Sequence, residues 1–102
     1  MRSLVVLAAL AVTVCFAQDN CYINEGGFTC CNKELESVMK SSLGGSDLVG
    51  SAGDIQKGAE GSLGGKFETV VAHDDFAYKS HFQEGKSCKV EKDGQYALAW
   101  QP

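Results

Sequence analysis

The rhythm of apolar and polar positions changes twice along this chain. After Met1 and Arg2, residues 4–17 are an almost unbroken apolar run. A polar, turn-rich stretch follows over residues 18–29, with Gly26-Gly27, and reads as an N-terminal loop. From there the apolar residues fall three and four apart. Leu35, Val38, Met39 and Leu43 share one face of an amphipathic helix. Asn32 is a suitable N-cap, and Glu34 and Glu36 sit near the positive end of the helix dipole. Ser42-Leu43-Gly44-Gly45 ends the pattern, and the same four letters recur at Ser62-Leu63-Gly64-Gly65. Both copies read as helix exits, since glycine tolerates the left-handed conformation beyond a helix C-terminus. Between them Leu48, Ala52, Ile55, Ala59 and Leu63 keep helical spacing. Gly50, Gly53, Gly58 and Gly61 interrupt it, each at a cost of about 1 kcal/mol relative to alanine. With Asp54 as cap, the expectation is a helix over residues 54–63 and a turn or weak helical segment over 46–53.

The second change is to a strand-like rhythm. Phe67-Glu68-Thr69-Val70-Val71-Ala72 is rich in β-branched and aromatic residues and predicts a strand. Phe76 to Phe82 reads as a second, shorter one. Residues 87–92 and 95–100 flank Asp93-Gly94, a strong two-residue hairpin signal. That register sets Val90 opposite Ala97 and Cys88 opposite Ala99, leaving room for a helix on their face. Tyr96, Leu98 and Trp100 point the other way, beside Lys89 and Glu91. The fold class expected is α+β: two helices followed by a three- to four-stranded antiparallel sheet.

The N-terminal run alters the accounting. One positive charge, about 14 apolar residues and small residues at Cys15 and Ala17 form the layout of a signal peptide over residues 1–17, short of the roughly 20 residues that span a bilayer. Its removal leaves residues 18–102 with eight lysines, no arginine and thirteen acids, a net charge of −5. Such a surface suits neither a nucleic acid nor an anionic membrane. Four cysteines remain, Cys21, Cys30, Cys31 and Cys88, and an even count in a small secreted chain reads as two disulfides. Neighbours such as Cys30 and Cys31 seldom bond to each other, because the ring is too small for relaxed geometry. Two pairings stay open: Cys21–Cys30 with Cys31–Cys88, or Cys21–Cys31 with Cys30–Cys88.

Candidate chemistry is sparse. His73, Asp74, Asp75 and His81 are the one cluster with metal-ligand residue types, but their spacing matches no ligand motif and Asp-Asp is ordinary in a turn. The cysteines are better used as bridges than as nucleophiles, and no serine lies in a nucleophile-elbow context. The expectation is no enzyme, no metal and no cofactor. Tyr96, Leu98 and Trp100 are read first as core, since apolar residues are usually explained by burial, and second as a contact surface for an extracellular protein, because a second apolar face on a small sheet needs its own cover. The alternative is a carrier of a small apolar ligand such as a lipid, held where the glycine-rich middle opens a pocket beside the sheet.

The order of the signals carries a resemblance. Cys30-Cys31-Asn32, Leu35 and Met39, Ile55-Gln56, Phe67 to Val71, Asp75-Phe76-Ala77-Tyr78, Cys88-Lys89-Val90 and Tyr96 to Trp100 together resemble the ground-like domain of nematode secreted proteins, a family associated with the hedgehog-related proteins. The resemblance covers about residues 30–100, and the domain is set at 30–102. It implies an extracellular, non-catalytic module linked to intercellular signalling or to the cuticle and other apical matrices. The long low-complexity segment common in such proteins is not seen here, so the expectation is a small diffusible factor rather than a matrix polymer.

Overall fold

The computed structural model describes residues 21–45 and 47–102. The expected signal peptide, Cys15 included, lies outside the described residues. The first elements are two short strands, β1 (Tyr22–Ile23) and β2 (Thr29–Cys30). They pair antiparallel, with Tyr22 opposite Cys30, so the segment read as a plain loop carries a small hairpin. Asn24 closes it: its side-chain oxygen accepts from the amides of Gly26 and Phe28, leaving its amide nitrogen to donate to Lys89 O. Polarity marked this stretch as a turn and concealed the short ladder on either side.

Helix α1 (Lys33–Ser42) starts where its sequence says. The Asn32 side chain accepts from Leu35 N at 2.9 Å, and Glu34 and Glu36 occupy the first turn. Leu35, Met39 and Leu43 are buried on the inner face. The chain leaves the helix through Gly44 at φ +92°.

Helix α2 (Leu48–Leu63) is longer than expected. Its cap is Asp47, whose carboxylate accepts from Gly50 N at 2.7 Å, not Asp54, which lies exposed within the helix. Packing outweighs the glycine penalty, because Ser51, Ile55 and Ala59 are buried along one stripe. One glycine is used outright: a Cβ on Gly58 would lie 2.8 Å from Val38 Cγ1, so its absence lets α1 and α2 touch closely. The second exit is as expected, with Gly64 as C-cap at φ +81°.

Strands β3 (Glu68–Ala72), β4 (Ser87–Lys92) and β5 (Gln95–Trp100) complete an antiparallel sheet of order β1-β2-β4-β5-β3. Asp93 and Gly94 turn the β4–β5 hairpin at φ 51° and 82°, and the expected register holds: Cys88 faces Ala99 and Val90 faces Ala97. Both helices pack on the face formed by Cys30, Cys88, Val90, Ala97 and Ala99, all shielded from solvent, with Phe67 and Ile55 filling the layer between. Gln95, also buried, ties the interhelical turn to the hairpin, accepting from Gly44 N and donating to Gly45 O. Among the described residues the sheet has five strands, because the N-terminal hairpin adds two to the three that follow the helices.

The strand expected over Phe76–Phe82 does not form. Residues 73–86 make an irregular strap that leaves β3 and crosses the sheet's other face before entering β4. Asp75 diverts the chain, its carboxylate accepting from Phe76 N at 2.7 Å. Both sides of β4 are already paired, to β2 and β5, so the strap's aromatic residues serve as cover instead of extending the sheet.

Candidate interaction face

Both disulfides join positions that lie across a ladder. Cys30 sits directly opposite Cys88 in the β2–β4 pair and bonds to it. Cys21 and Cys31 continue the β1–β2 register by one step and bond to each other. The adjacent cysteines therefore point apart, one into the core and one toward the N-terminal hairpin. Of the two pairings left open by the sequence, the structure holds Cys21–Cys31 with Cys30–Cys88.

On the outer face the organising residue is Lys89, one position after Cys88 and facing the other way. It is only 5 % exposed. Its Nζ donates to Asp75 Oδ1 at 2.5 Å and to Phe76 O at 2.7 Å. The rings of Phe76, Phe28 and Tyr78 surround it, with centroids 4.4, 4.5 and 5.6 Å away. A desolvated ammonium needs such company: a counter-charge, a carbonyl and the negative faces of aromatic rings. The hydrogen bond from Lys89 holds the Asp75 carboxyl below the usual range, helped by the Phe76 amide. Lys89 thus fastens the strap to the sheet.

Of the candidate trio Tyr96, Leu98 and Trp100, the structure leaves two at the surface. Leu98 is buried at 2 % exposure beneath this cover. Tyr96 and Trp100 are half-buried; Phe28 meets Tyr96 edge-on at 6.1 Å, and Phe82 lies 6.1 Å from Trp100 and from Tyr78. The apolar second face does need a cover, and the chain supplies most of it from the strap. Lys89, Phe28, Phe76, Tyr78 and Phe82 were missed as site residues. For all but Phe28 a signal was present: a lysine between Cys88 and Val90 in a strand, and three aromatics between 76 and 82.

The residues with metal-ligand character are dispersed. His73, Asp74 and His81 are exposed, Asp75 is held by Lys89, and among the described residues no three His, Cys, Asp or Glu side chains converge on one point. A second surface feature lies between the N-terminal hairpin and α1, an open groove of about 450 Å³ lined by Tyr22, Ile23, Glu25, Lys33, Glu36 and Lys40. Tyr22 donates to Glu36 Oε1 at 2.6 Å, and Lys33 Nζ lies 4.3 Å from the Tyr22 ring centroid. Burial, with the hydrogen bond to Glu36 second, pushes the Tyr22 phenol up to about 12. Lys40 and Glu25 pair at 2.6 Å, which holds the Glu25 carboxyl below its usual range.

These features define a small α+β scaffold, crosslinked twice, with a strapped aromatic face. The ground-like domain profile matches residues 27–100, and the chain belongs to the ground-like domain family, which is of the non-catalytic, secreted type. No curated protein matches the chain. Among the described residues no helix is long and apolar enough to cross a membrane. The disulfides and the family together suggest an extracellular setting.

Proposed function

We propose that this protein is a secreted interaction domain that binds an extracellular protein, at a receptor or in an apical matrix, and catalyses nothing. The observation that carries this reading is the ground-like match over residues 27–100. The contact surface we assign is the strapped outer face, where Trp100 stands beside Phe82 and Tyr78, and Tyr96 beside Phe28. Aromatic side chains that keep one edge exposed on a rigid base are favourable anchors for a protein partner. The apolar-ligand carrier has less support, because Ile55, Ala59, Phe67 and Val90 fill the space between helices and sheet. The test is affinity capture from extracellular material with the oxidised protein and with its Tyr96→Ser/Trp100→Ser variant. A partner recovered by the first and lost by the second supports the reading. Equal recovery by both moves the contact elsewhere, and a bound lipid in native mass spectrometry favours the carrier.

A further inference from the structure

The sheet ends differently on its two sides. One edge is β1, only two residues long. The other is β3, five residues with no proline, paired among the described residues to β5 on one side alone. The direction of its amides follows from the hairpin. In a two-residue hairpin the pair flanking the turn, Lys92 and Gln95, is a hydrogen-bonded one, and the bond from Gln101 N to Lys86 O keeps the same phase. Tyr96, Leu98 and Trp100 therefore turn their backbone groups toward β3, where they meet Ala72, Val70 and Glu68. It follows that Phe67, Thr69 and Val71 direct their N–H and C=O groups outward, away from β5.

The chain treats these outward groups unequally. At Phe67 both are satisfied by α2: the amide donates to Glu60 Oε2, and the carbonyl accepts from Gln56 Nε2, each at 2.9 Å. Thr69 and Val71 have no such caps among the described residues. Val70, between them, faces outward from the helices and is 41 % exposed. Val49, also exposed, and Gly53, with open space where a side chain would stand, lie on the first turns of the helix beside this strand.

We propose that β3 pairs antiparallel with β3 of a second copy of this chain, across a two-fold axis at Val70. Symmetry and amide direction together leave few registers. In the one centred on Val70, Thr69 of each copy lies opposite Val71 of the other, so both outward groups of both residues find partners. The ladder then stops at Phe67, where the α2 side chains already close it. Val70 meets its counterpart at the axis and Glu68 meets Ala72, while just beyond each end of the ladder Lys66 comes near the acidic Asp74 of the other copy. A shift centred on Val71 sets Glu68 against Asp74, two like charges. A shift centred on Thr69 directs Val71 at the capped Phe67 and leaves it unpaired. Hydrogen bonding excludes the second shift and charge the first, which leaves the register centred on Val70. A five-residue edge makes a small interface, so the dimer is a weak one.

The oxidised protein, followed by sedimentation equilibrium from micromolar to millimolar concentration, should show a monomer–dimer equilibrium that weakens only a few-fold in high salt. Val71→Pro removes an outward amide and no bond within the sheet, so the monomer keeps its fold by circular dichroism. It should weaken dimerisation about thirtyfold, the equivalent of two net hydrogen bonds. Lys66→Glu and Asp74→Lys should each weaken the dimer, and the double variant should restore it. A protein that stays monomeric at millimolar concentration overturns the proposal. So does a dimer indifferent to Val71→Pro, or a double charge swap no better than its singles. Capture of a different protein on this edge by a strictly monomeric chain also overturns it.

Discussion

Replacing the glycines of α2 one at a time tests the helix that the sequence pattern understated. Gly53 and Gly61 are exposed, and a Cβ on either meets nothing within 4 Å. Alanine there gains its full helix propensity, about 1 kcal/mol each, with no steric charge against it. Gly58 differs, since its added methyl would stand 2.8 Å from Val38 Cγ1 on the half-buried face of α1. Overpacking of that kind costs about 2 kcal/mol and outweighs the propensity gain, so Gly58→Ala should lose about 1 kcal/mol net. For a domain of this size 1 kcal/mol moves the melting midpoint by about 4–8 °C. Thermal unfolding of the oxidised variants should therefore show Gly53→Ala and Gly61→Ala melting above the parent and Gly58→Ala below it. Gly53→Ala is the decisive one. If it leaves the midpoint unchanged while Gly61→Ala raises it, α2 begins after Gly53 and the reasoning fails. If Gly58→Ala gains as much as the others, the helices are not in the close contact described here.

The remaining expectations concern the crosslinks and the two surface clusters. Replacing both Cys30 and Cys88 by alanine opens a span of 58 residues and should cost about 4 kcal/mol in chemical denaturation, against about 2–3 for the Cys21–Cys31 span of 10. Equal losses from the two would contradict the chain-entropy account. The Asp75 carboxyl is held below its ordinary range by Lys89, so its contribution is complete above that range and is lost as pH falls through the lowered value. Protection of residues 73–86, taken relative to the intrinsic exchange rate at each pH, should accordingly fall on acidification below about pH 4, the ordinary carboxylate range, and Asp75→Asn should show the reduced protection at neutral pH. The Tyr22 phenol is raised to about 12, so the stability it contributes is complete below its ordinary value of 10.0 and is lost as pH climbs through the raised one. The phenolate absorbance that Tyr22→Phe removes should be the part that ionises above the ordinary 10.0, and Glu36→Gln should bring it earlier; a Tyr22 midpoint at the ordinary value would refute the assignment.

What the sequence disclosed is what local chemistry decides. Asn32, Asp93-Gly94 and the two Leu-Gly-Gly exits act on backbone groups within a few residues, so α1, the β4–β5 register and both helix ends were legible. The start of α2 was not, because Asp47 and Asp54 are equally good caps on paper. Burial of Ser51 and Ile55 against the sheet is what favours the first. The strap misled for the same reason. Its aromatics have high strand propensity, yet propensity measures how well a side chain fits a half-buried surface, and here the surface is the outside of another strand. The candidate trio was legible as a face needing cover and illegible as to which residues give it, since Phe28, Phe76 and Tyr78 reach Lys89 from two distant segments.

Three of the motifs that carried the family resemblance are one structure. Cys30-Cys31-Asn32 supplies both crosslinks and the cap of α1. Cys88-Lys89-Val90 receives the first of these on one face of β4 and, one residue later, the strap on the other. Asp75-Phe76-Ala77-Tyr78 is that strap's grip on Lys89. Because neighbouring strand residues face opposite ways, Cys88 and Lys89 can anchor two layers from a single point of the chain. The two anchors differ in kind. The covalent one limits the unfolded chain and is insensitive to pH, whereas the ionic one holds only the strap and depends on Asp75 being charged. Acid should therefore loosen the outer face while the helix–sheet core stays closed. If residues 73–86 and the core amides instead lose protection together as pH falls, Lys89 is not an independent fastening and the strap is simply part of the core.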